Sequence, residues 1–476
     1  MLIQPKKGLL PIGGALLVFI VVAALWNGQE QIGESSASLR NWWEGTSSGR
    51  SEKSIQKILS GENAAKVLQD EGIVPTAAVA DTHHELFSLS TPDGKYFDIV
   101  FGRFHAINPN VIPHPSLNDT WFIIGQEFQK GEGQATTWNI ELVCEATFRN
   151  SSTLQCIEEP IIAPVAATYS PVCHENYAPL NFNIGPHDAR VFFGPEHPYM
   201  IFGSQSQHSC FGQWIEDFRL LSKWPIHRSP DNPFQVSTDI QRPPPFHPME
   251  KNWFVFWDTH NDMYVHYDTA PKRSYAKLAP DGSVGGDLAL LTEQRDSTCL
   301  AKYLPNIGDP AWESIHQATN SLAITLCRRT DVNCVKSEAN TFILTIYQHK
   351  GSYSYHSAYE PYTMLFKQIA PFEIYAMGTK PLFIHGRLPG VPADSPTGEE
   401  PRLTEMFYLT SISWKSPELT YHGYLDDVMF VNFGIEDTHT GGIDVLAADV
   451  IAGLGYCDGK GAVAMPGTGS SNAMGP

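Results

Sequence analysis

The chain has 476 residues, of which 51 are acidic and 32 basic, and its formal net charge is −19 at neutral pH. This acidic balance argues against nucleic acid as a partner and against broad adhesion to anionic membrane surfaces. Hydrophobic residues make up 42%, which is enough for one large packed domain or two ordinary ones. Neutral sugars are compatible ligands, and a nucleotide-sugar is compatible where a local basic pocket meets its phosphates.

The N-terminus carries a candidate membrane anchor. Residues 1–7, ending in Lys6 and Lys7, form a predicted cytosolic tail, and residues 8–26 are uncharged and mostly apolar. At ~1.5 Å per residue, such a run just spans the ~30 Å hydrocarbon core. A cleaved signal peptide is the alternative, but the length of the run and Trp26 at its end favour a signal anchor. We therefore expect a single-pass type II protein with its globular part in the lumen.

A stem is predicted between this anchor and the globular part, over residues 27–80. Its first half is rich in Ser, Gly and Glu. Apolar residues at helical spacing between Glu52 and Gln69 predict one short amphipathic helix. At the other end of the chain, residues 458–476 are rich in Gly, Ala and Ser, and we expect a disordered tail.

The eight cysteines all lie beyond residue 140, on the predicted lumenal side, and none forms a CxxC pair typical of zinc. Cys144 and Cys156 flank a turn-like segment and are candidates for a disulfide across a hairpin. Cys327 and Cys334 flank a second such segment. The remaining cysteines pair in one of three ways that the sequence leaves open: Cys173, Cys210, Cys299 and Cys457.

Two acceptor sequences for N-glycosylation begin at Asn118 and Asn150. Both lie in turn-like contexts, as the modification requires an exposed loop. We expect both to carry glycans in a secretory compartment.

Residues 81–457 contain many short aromatic and β-branched runs, separated by Gly, Pro, Asn and Asp, and no sustained helical periodicity. This pattern predicts an all-β domain. Hairpin-like units that open with a polar cluster begin near Asn108, Gly185, Lys251, Asn320 and Gly423. Propeller blades have this form when their first strands line a central funnel. We therefore predict a five-bladed β-propeller with long loop insertions, two of them in the proline-rich segments 223–248 and 388–402.

The chemistry is centred on the second of these units, around Asp188. Gly185 and Pro186 predict a turn, and the apolar runs 191–193 and 199–203 predict a hairpin with Asp188 at its mouth, between His187 and Arg190. A carboxylate there can take or give a proton, and an arginine can hold an anion in two-pronged geometry. The alternative is an Asp188–Arg190 ion pair that only fixes the hairpin.

Polar clusters in the other units supply further candidates for a binding site. Each has a structural alternative: Trp253 and Tyr424 as core aromatics, Asp426 with Asp427 as a turn, and His349 as a structural histidine. The chain has no Walker loop, GxSxG elbow, HExxH helix or strict DxD motif. No metal site is therefore evident, and basic side chains would have to meet a diphosphate.

The motifs, taken in order, resemble those of a known family. They are an Asn108-Pro109 unit ending in Pro113-His114-Pro115, then Gly185-Pro186-His187-Asp188-Ala189-Arg190, Glu250-Lys251-Asn252-Trp253, Thr319-Asn320-Ser321, His349-Lys350, and Gly423-Tyr424-Leu425-Asp426-Asp427 followed by Phe433-Gly434-Ile435. The set resembles the fungal β-mannosyltransferases, type II membrane proteins that add β-1,2-linked mannose to cell-wall glycans. More distantly it resembles the β-mannoside phosphorylases, which are five-bladed propellers. The resemblance covers roughly residues 100–457.

The resemblance implies an inverting glycosyltransferase of the Golgi or another secretory-pathway membrane, with GDP-mannose as donor and a mannan-type glycan as acceptor. The catalytic Asp of the phosphorylases' Gly-x-Glu-Asp-Pro-Arg segment matches Asp188, which would act as general base; His187 and Ala189 depart from that pattern. The candidates to meet the diphosphate are Arg190, Lys251, His349 and Lys350. The candidates to bind the sugars are Asn108, Asn252, Trp253, Asn320, Tyr424, Asp426 and Asp427.

Two alternatives accompany this interpretation. One is a β-mannoside phosphorylase or hydrolase on the same scaffold. The other, which the departures at His187 and Ala189 favour, is a catalytically inactive propeller that binds glycans. No cofactor is expected, and the only predicted contact with a membrane is the N-terminal helix.

Overall fold

The computed structural model describes residues 52–60, 64–129, 136–224, 233–353, 356–391, 398, 400 and 402–459. The predicted cytosolic tail, the anchor and nearly all of the predicted C-terminal tail lie outside these ranges. Within them, no helix combines the length and apolar character needed to cross a bilayer. The described part is all-β, as the sequence predicts, with short helices α1 (Glu52–Leu59), α2 (Ala64–Asp70), α3 (Glu293–Tyr303) and α4 (Ala447–Val450).

The strands carry most of the structure. In chain order they are β1 (His84–Leu86), β2 (Phe97–Val100), β3 (Ile107–Pro113), β4 (Trp121–Gln129), β5 (Thr137–Asn150), β6 (Thr153–Cys156), β7 (Ile161–Ile162), β8 (Asn183–Ile184), β9 (His187–Phe193), β10 (Pro198–Gln205), β11 (Phe211–Asp217), β12 (Thr238–Ile240), β13 (Phe254–Trp257), β14 (Met263–Asp268), β15 (Ser274–Lys277), β16 (Glu313–Gln317), β17 (Leu322–Thr325), β18 (Thr341–Tyr353), β19 (His356–Lys367), β20 (Ile374–Gly378), β21 (Leu382–Ile384), β22 (Phe407–Trp414), β23 (His422–Tyr424), β24 (Val428–Ile435), β25 (His439–Leu446) and β26 (Leu454–Tyr456). Segments of 3₁₀ helix lie at Ala77–Val79, Glu175–Phe182, Phe218–Leu220 and Leu288–Leu291.

These strands form five antiparallel meanders: β3 to β6, β9 to β12, β13 to β15, β17 to β20, and β22-β24-β25-β2. The last meander is completed by a strand from the start of the domain, because β2 pairs antiparallel with β25 and parallel with β6. Strands such as β10 are buried along their whole length, since both of their faces are covered. Burial on both faces explains why these strands are continuous apolar runs in the sequence rather than alternating ones.

The first strands of three meanders, β3, β9 and β22, contact one another. Four of the five predicted unit starts, from Asn108 to Asn320, fall within or just before the first strand of a meander. The fifth prediction is wrong, because the last meander begins at β22, near Phe407. Gly423 lies instead on β23, which pairs in parallel with β17 of the fourth meander. The hairpin predicted around Asp188 is confirmed, with His187 opposite Gly203 and Phe193 opposite Pro198.

The second half of the predicted stem belongs to the domain. One helix was predicted between Glu52 and Gln69, and the structure has two, α1 and α2. The boundary expected at residue 81 is absent, because Ile58, Val67 and Leu68 form one apolar cluster with Phe87 and Leu446. Burial of these side chains holds the segment against the last meander.

All eight cysteines form disulfides. The predicted Cys144–Cys156 and Cys327–Cys334 pairs are confirmed, and the pairing that the sequence left open is Cys173–Cys210 and Cys299–Cys457. The long-range Cys299–Cys457 link ties α3 to the end of the domain. Asn118 lies in an exposed turn and Asn150 is the exposed last residue of β5, and their glycosylation stays a prediction.

Candidate active site

Asparagine side chains join the first strands of neighbouring meanders. The Asn110 amide donates to the Ala189 carbonyl (2.8 Å) and accepts from the Val191 N–H (3.0 Å), so it links β3 to β9. Asn320 links the fourth meander to β22, because it donates to the Ile412 carbonyl (2.9 Å) and accepts from the Ile412 N–H (3.0 Å). These bonds fix the relative positions of the side chains where the strands begin.

Asp188 stands at the beginning of β9 in a left-handed backbone conformation, with φ +47°. Its N–H donates to Gln126 Oε1 (2.7 Å), and its Oδ1 accepts from Asn108 Nδ2 (2.7 Å). Asn108 (φ +53°) and Asn252 (φ +65°) share the same strained backbone region. Such residues cost of order ~1–3 kcal/mol each and concentrate at functional sites. Three of them around one carboxylate mark this end of the domain as the candidate active site.

A second carboxyl, Glu141, lies directly behind Asp188. It is fully buried, its Oε1 accepts from the Ala189 N–H (3.3 Å), and its Oε2 has no partner among the described residues. Burial raises the pKa of Glu141 well above its usual value, and the nearby Asp188 raises it further. Glu141 is therefore a neutral support for the turn. A proline at position 189 would remove the N–H that makes this contact, which gives a physical reason for Ala189.

Arg190 is buried without an acidic partner. Its Nε donates to the Ala318 carbonyl (2.6 Å), and its Nη2 donates both to Asn252 Oδ1 (3.2 Å) and to the Tyr408 hydroxyl (3.3 Å). Within the described ranges it makes no ion pair. The structure therefore does not contain the Asp188–Arg190 ion pair that was the structural alternative. A buried guanidinium without a counter-charge is suited to hold an anionic ligand.

Three more basic groups surround Arg190. Burial lowers the pKa of Lys350, and Lys251 lowers it further, while Asp437 partly offsets this. Burial also lowers the pKa of His316 to about 4, with contributions from Lys350, Lys251 and Arg190. These shifts reflect the closeness of Lys251 to both Lys350 and His316, and of Arg190 to His316. His316 is consequently neutral at physiological pH, and Nδ1 of its ring is 3.1 Å from Asn252 Nδ2.

The last meander supplies the opposite wall. The pKa of Asp437 is raised by desolvation and by the neighbouring Asp188 and Glu436. Burial raises the pKa of Tyr408 to about 12, with Asp188 and Asp437 adding to the effect. The Tyr408 ring meets Tyr359 edge-on, with centroids 5.1 Å apart. The Lys350 ammonium lies 5.6 Å from the Tyr359 ring centroid.

We name this group the Asp188 cluster. Its members are Asp188, Asn108, Arg190, Lys251, Asn252, His316 and Lys350. The cluster combines one hydrogen-bonded carboxylate with three cations, and the carboxyl groups of Glu141 and Asp437 lie beside it. Chemically, it can move a proton at Asp188 while the cations hold an anionic group nearby.

Six of the predicted site residues are thus brought together: Asp188, Asn108, Arg190, Lys251, Asn252 and Lys350. Three others are placed elsewhere. Trp253 is fully buried and meets the Tyr267 ring edge-on at 4.7 Å, so it is a core aromatic. Asn320 is fully used in joining strands. His349 faces the opposite side of β18 from Lys350, as neighbours on a strand do, and its Nε2 pairs with Glu313 Oε2 at 3.0 Å.

The predicted sugar-binding group Tyr424, Asp426 and Asp427 lies away from Asp188. Tyr424 is beside Thr325, which pairs with Thr341 at the start of β18, whereas Lys350 lies near the end of that strand. Asp427 is bonded by the Arg329 guanidinium (2.7 and 3.1 Å), which also covers the Tyr424 ring at 4.4 Å. We name these four residues the Arg329 cluster; the structure corrects their assignment to the Asp188 site, because their polar groups are occupied in fixing a turn.

The residues that sequence reasoning did not single out come from strand interiors or from the last meander: Gln126, Glu141, His316, Tyr359, Tyr408 and Asp437. His316 was visible as part of a polar cluster before the fourth unit. Glu141 had no local signal, because β5 is a central strand of its meander rather than a first strand.

Two cavities of different character bear on the choice of the site. One, of about 150 Å³, opens at Asp188 and is lined also by His187, Arg190, Lys251 and Asn252. A larger one, of about 720 Å³, is lined by residues such as Tyr199 and Trp257 and contains none of the Asp188 cluster. We take the smaller cavity as the site, because it holds the titratable groups. No set of three or more His, Cys, Asp or Glu side chains suited to a metal occurs in the described ranges.

Comparison with known proteins yields distant structural likenesses. No family model matches the chain, and no curated protein does. A β-1,2-mannobiose phosphorylase from Listeria innocua is similar at 12% identity over 73% of this chain and 91% of its own, with a TM-score of 0.40. A structure from the GH130 family of mannoside phosphorylases, described as containing hydrolases that target β-1,2-mannosidic linkages in Candida mannan, has 13% identity, coverage of 71% and 84%, and a TM-score of 0.38. A glycosyl hydrolase from Bacteroides ovatus has 12% identity, coverage of 71% and 84%, and a TM-score of 0.39.

These likenesses are low in both identity and TM-score, so they carry no argument about what this chain does. The account of its function below starts from the geometry of the Asp188 cluster and from the motifs in the sequence.

Proposed function

We propose that this protein is an inverting β-mannosyltransferase that transfers mannose from GDP-mannose to a mannan-type glycan. The observation that carries the proposal is the placement of one carboxylate, Asp188, near two lysines and a buried arginine that has no acidic partner among the described residues. A glycosyl transfer from a nucleotide-sugar needs both parts, a base for the acceptor hydroxyl and cations for the departing diphosphate. The choice of mannose and GDP rests on the resemblance of the motifs.

In the proposed reaction, Asp188 accepts the proton of an acceptor hydroxyl while that oxygen forms a bond to the anomeric carbon of mannose. The bond between this carbon and the diphosphate oxygen breaks, and GDP leaves with the electron pair. Arg190, Lys251 and Lys350 stabilise the negative charge that develops on the leaving group. A single displacement inverts the α-linked donor to a β-linked product, and the Asp188 carboxylate also stabilises the oxocarbenium-like transition state.

The supporting residues explain how Asp188 is held ready. Asn108 and Gln126 fix its side chain and its N–H, and the neutral Glu141 supports the turn without adding a second negative charge. The right orientation of a catalytic group contributes to rate because the reacting atoms need no further ordering. Five predicted site residues beyond Asp188 contribute to this arrangement, and we retain them as the substrate-binding set: Asn108, Arg190, Lys251, Asn252 and Lys350.

A mannoside phosphorylase on the same scaffold is the second candidate, because the same cations would hold inorganic phosphate equally well. The five meanders, with β3, β9 and β22 in contact, fit the five-bladed propeller on which we propose either reaction occurs. We further propose that the protein works in the Golgi or another secretory compartment, anchored by residues 8–26. Four disulfides favour such an oxidising environment.

The proposal is tested by incubating the full-length protein with GDP-mannose and a panel of α-mannosides, with and without EDTA, and by measuring GDP release. A parallel reaction contains β-1,2-mannobiose and inorganic phosphate. Acceptor-dependent GDP release supports the transferase. Formation of mannose 1-phosphate without any need for nucleotide would replace it with the phosphorylase, and activity in neither reaction would leave the inactive glycan-binding propeller.

A further inference from the structure

The cavity that opens at Asp188 extends across the face of the second meander, and we name this part of it the side cavity. His187 on β9 lies opposite Gly203 on β10, which lies opposite Gln213 on β11, so the three form one row across the sheet. A Cβ atom at Gly203 would come within 2.5 Å of the Phe211 ring and 3.1 Å of Gln213 Nε2. The glycine therefore allows the Phe211 ring and the Gln213 amide to lie over the middle of the row, where they line the cavity together with His187.

Gln213 is the unusual member of this row. The residue is only 3% exposed, and it lines the cavity. Its side-chain amide makes no hydrogen bond to any residue that the structure describes. The polar atoms of this amide are open to the cavity rather than sealed in the core. An amide that lines a cavity together with a reactive carboxylate, and that makes no hydrogen bond to the protein, is expected to bond a ligand.

His187 adds a second unused donor. Asn139 Nδ2 donates both to the Ile184 carbonyl (3.3 Å) and to His187 Nε2 (2.9 Å), while Asn139 Oδ1 accepts from Gln126 (3.4 Å). Because Nε2 accepts, the proton of the neutral ring is on Nδ1. Burial lowers the pKa of His187, so the neutral form prevails at physiological pH. The Nδ1–H has no partner among the described residues.

The remaining walls indicate the class of ligand. The cations Arg190 and Lys251 line the cavity where it meets the Asp188 cluster. Phe211, Met249 and Leu180 are apolar, and the remaining polar side chains outside that cluster, which include Gln213 and His187, are neutral. Away from the two cations, this combination of apolar surface and neutral hydrogen-bonding groups suits the faces and hydroxyls of a sugar ring. A volume of about 150 Å³ equals about five water molecules at ~30 Å³ each, which suits one ring and not a chain of them.

We propose that this side cavity is the acceptor subsite, which takes the single neutral hexose ring whose hydroxyl Asp188 deprotonates, with Gln213 and His187 bonding other hydroxyls of that ring. The inference rests on the proposed transferase function and specifies its acceptor side. Gln213 and His187 then determine acceptor specificity, whereas the cations determine donor binding.

The test uses Gln213→Met, which retains volume and removes hydrogen bonding, and the matched control Gln294→Met on the exposed surface of α3. The full-length protein is assayed with GDP-mannose, methyl α-D-mannopyranoside and the monodeoxy analogues of that acceptor. Loss of a neutral hydrogen bond predicts a fall of about tenfold in acceptor kcat/KM, with the KM for GDP-mannose unchanged. With the wild type, one deoxy analogue should have a kcat/KM lower than that of the parent acceptor by the same factor. With Gln213→Met, that analogue and the parent acceptor should have the same kcat/KM.

Binding measured without turnover separates this inference from the proposed function. Saturation-transfer NMR reports methyl α-D-mannopyranoside binding, and GDP affinity reports whether the variant is folded. If the wild type binds the sugar but releases no GDP, and Gln213→Met loses the sugar, the subsite stands and the transferase falls. If transfer occurs but Gln213→Met and His187→Phe keep the wild-type acceptor kcat/KM, or change only the KM for GDP-mannose, the subsite is refuted and the transferase stands.

Discussion

The Asp188 cluster and the Arg329 cluster lie toward opposite ends of β18 and look alike in the sequence, since each joins acidic groups to basic ones beside a strand. In the Arg329 cluster each charged side chain forms hydrogen bonds within the protein. Asp427 takes two bonds from the guanidinium, and Asp426 accepts from the N–H groups of Arg329 (2.6 Å) and Thr330 (3.1 Å). In the Asp188 cluster, Arg190 has no acidic partner among the residues that the structure describes, and three residues have left-handed backbones.

This difference in hydrogen-bond partners indicates which of the two clusters is available to bind a substrate. A side chain whose hydrogen bonds are all made within the protein stabilises the fold, and it has few donors or acceptors available to a substrate. The Asp188 cluster has charged groups that line a cavity, where they are available to a ligand. Residue type alone does not separate the two clusters; the separation lies in what each side chain contacts.

The largest effect is expected for Asp188→Asn, which keeps the shape and removes the base. Loss of a general base typically lowers the rate by ~10²–10⁴-fold, and the amide can still bond Asn108, so stability should change little. The rate of GDP release with acceptor measures this. The matched control, Asp426→Asn in the Arg329 cluster, should keep the wild-type kcat. Equal losses in the two variants would erase the distinction between the clusters.

A smaller loss is expected for Lys350→Met. A hydrogen bond to a charged group is worth about 1.5–3 kcal/mol, so kcat/KM for GDP-mannose should fall by about 10- to 150-fold. Initial rates at varied donor concentration provide the measurement. Lys277→Met, which removes an exposed lysine paired with Asp262, serves as control and should behave as wild type. A normal kcat/KM in Lys350→Met would remove this lysine from the donor site.

The two regions should also respond to pH in opposite directions. The raised pKa of Glu141 contributes stability at low pH that is lost as pH rises through that value. Burial favours the protonated form of Asp426, but the hydrogen bonds from Arg329 and Thr330 prevail and lower its pKa, so its contribution is lost as pH falls. We expect Glu141→Gln to raise Tm relative to wild type progressively as pH increases, as followed by thermal unfolding. A difference in Tm that does not vary with pH would contradict a neutral Glu141.

The smallest effect is expected for Asp427→Asn. The Arg329 side chain is 47% exposed, so solvent screens the ion pair, and pairs of this kind contribute about 0.2–1 kcal/mol. Urea unfolding should register a loss in that range, and transfer activity should remain unchanged. A loss of activity greater than about threefold would mean that the Arg329 cluster contributes to the site after all.

Much of the fold could be predicted from the sequence because its signals are local. Short β runs with frequent turns predicted the all-β domain, and turn-like segments between nearby cysteines predicted Cys144–Cys156 and Cys327–Cys334. The start of the last meander was misplaced because the polar stretch 421–427 resembles an opening cluster, whereas β22 begins without one. Pairing of Cys299 with Cys457 depends on the closure of the domain, which no local pattern encodes.

The site was predicted in part for the same reason. Asp188 and Arg190 share one short motif, and Lys251 with Asn252 share another, so their chemistry was visible. Glu141 and Tyr408 approach them only through pairing and packing between meanders. The surroundings of Arg190 could not be predicted either, because the carbonyl and side chains that it contacts come from other meanders.

The most direct test of the central claim is the anomeric configuration of the product formed from GDP-mannose and an α-mannoside acceptor, followed by proton NMR during the reaction. The account predicts a β-linked mannoside that appears together with GDP in the wild type and is absent with Asp188→Asn. An α-linked product, or a β-linked product formed equally well by Asp188→Asn, would contradict the role assigned to Asp188.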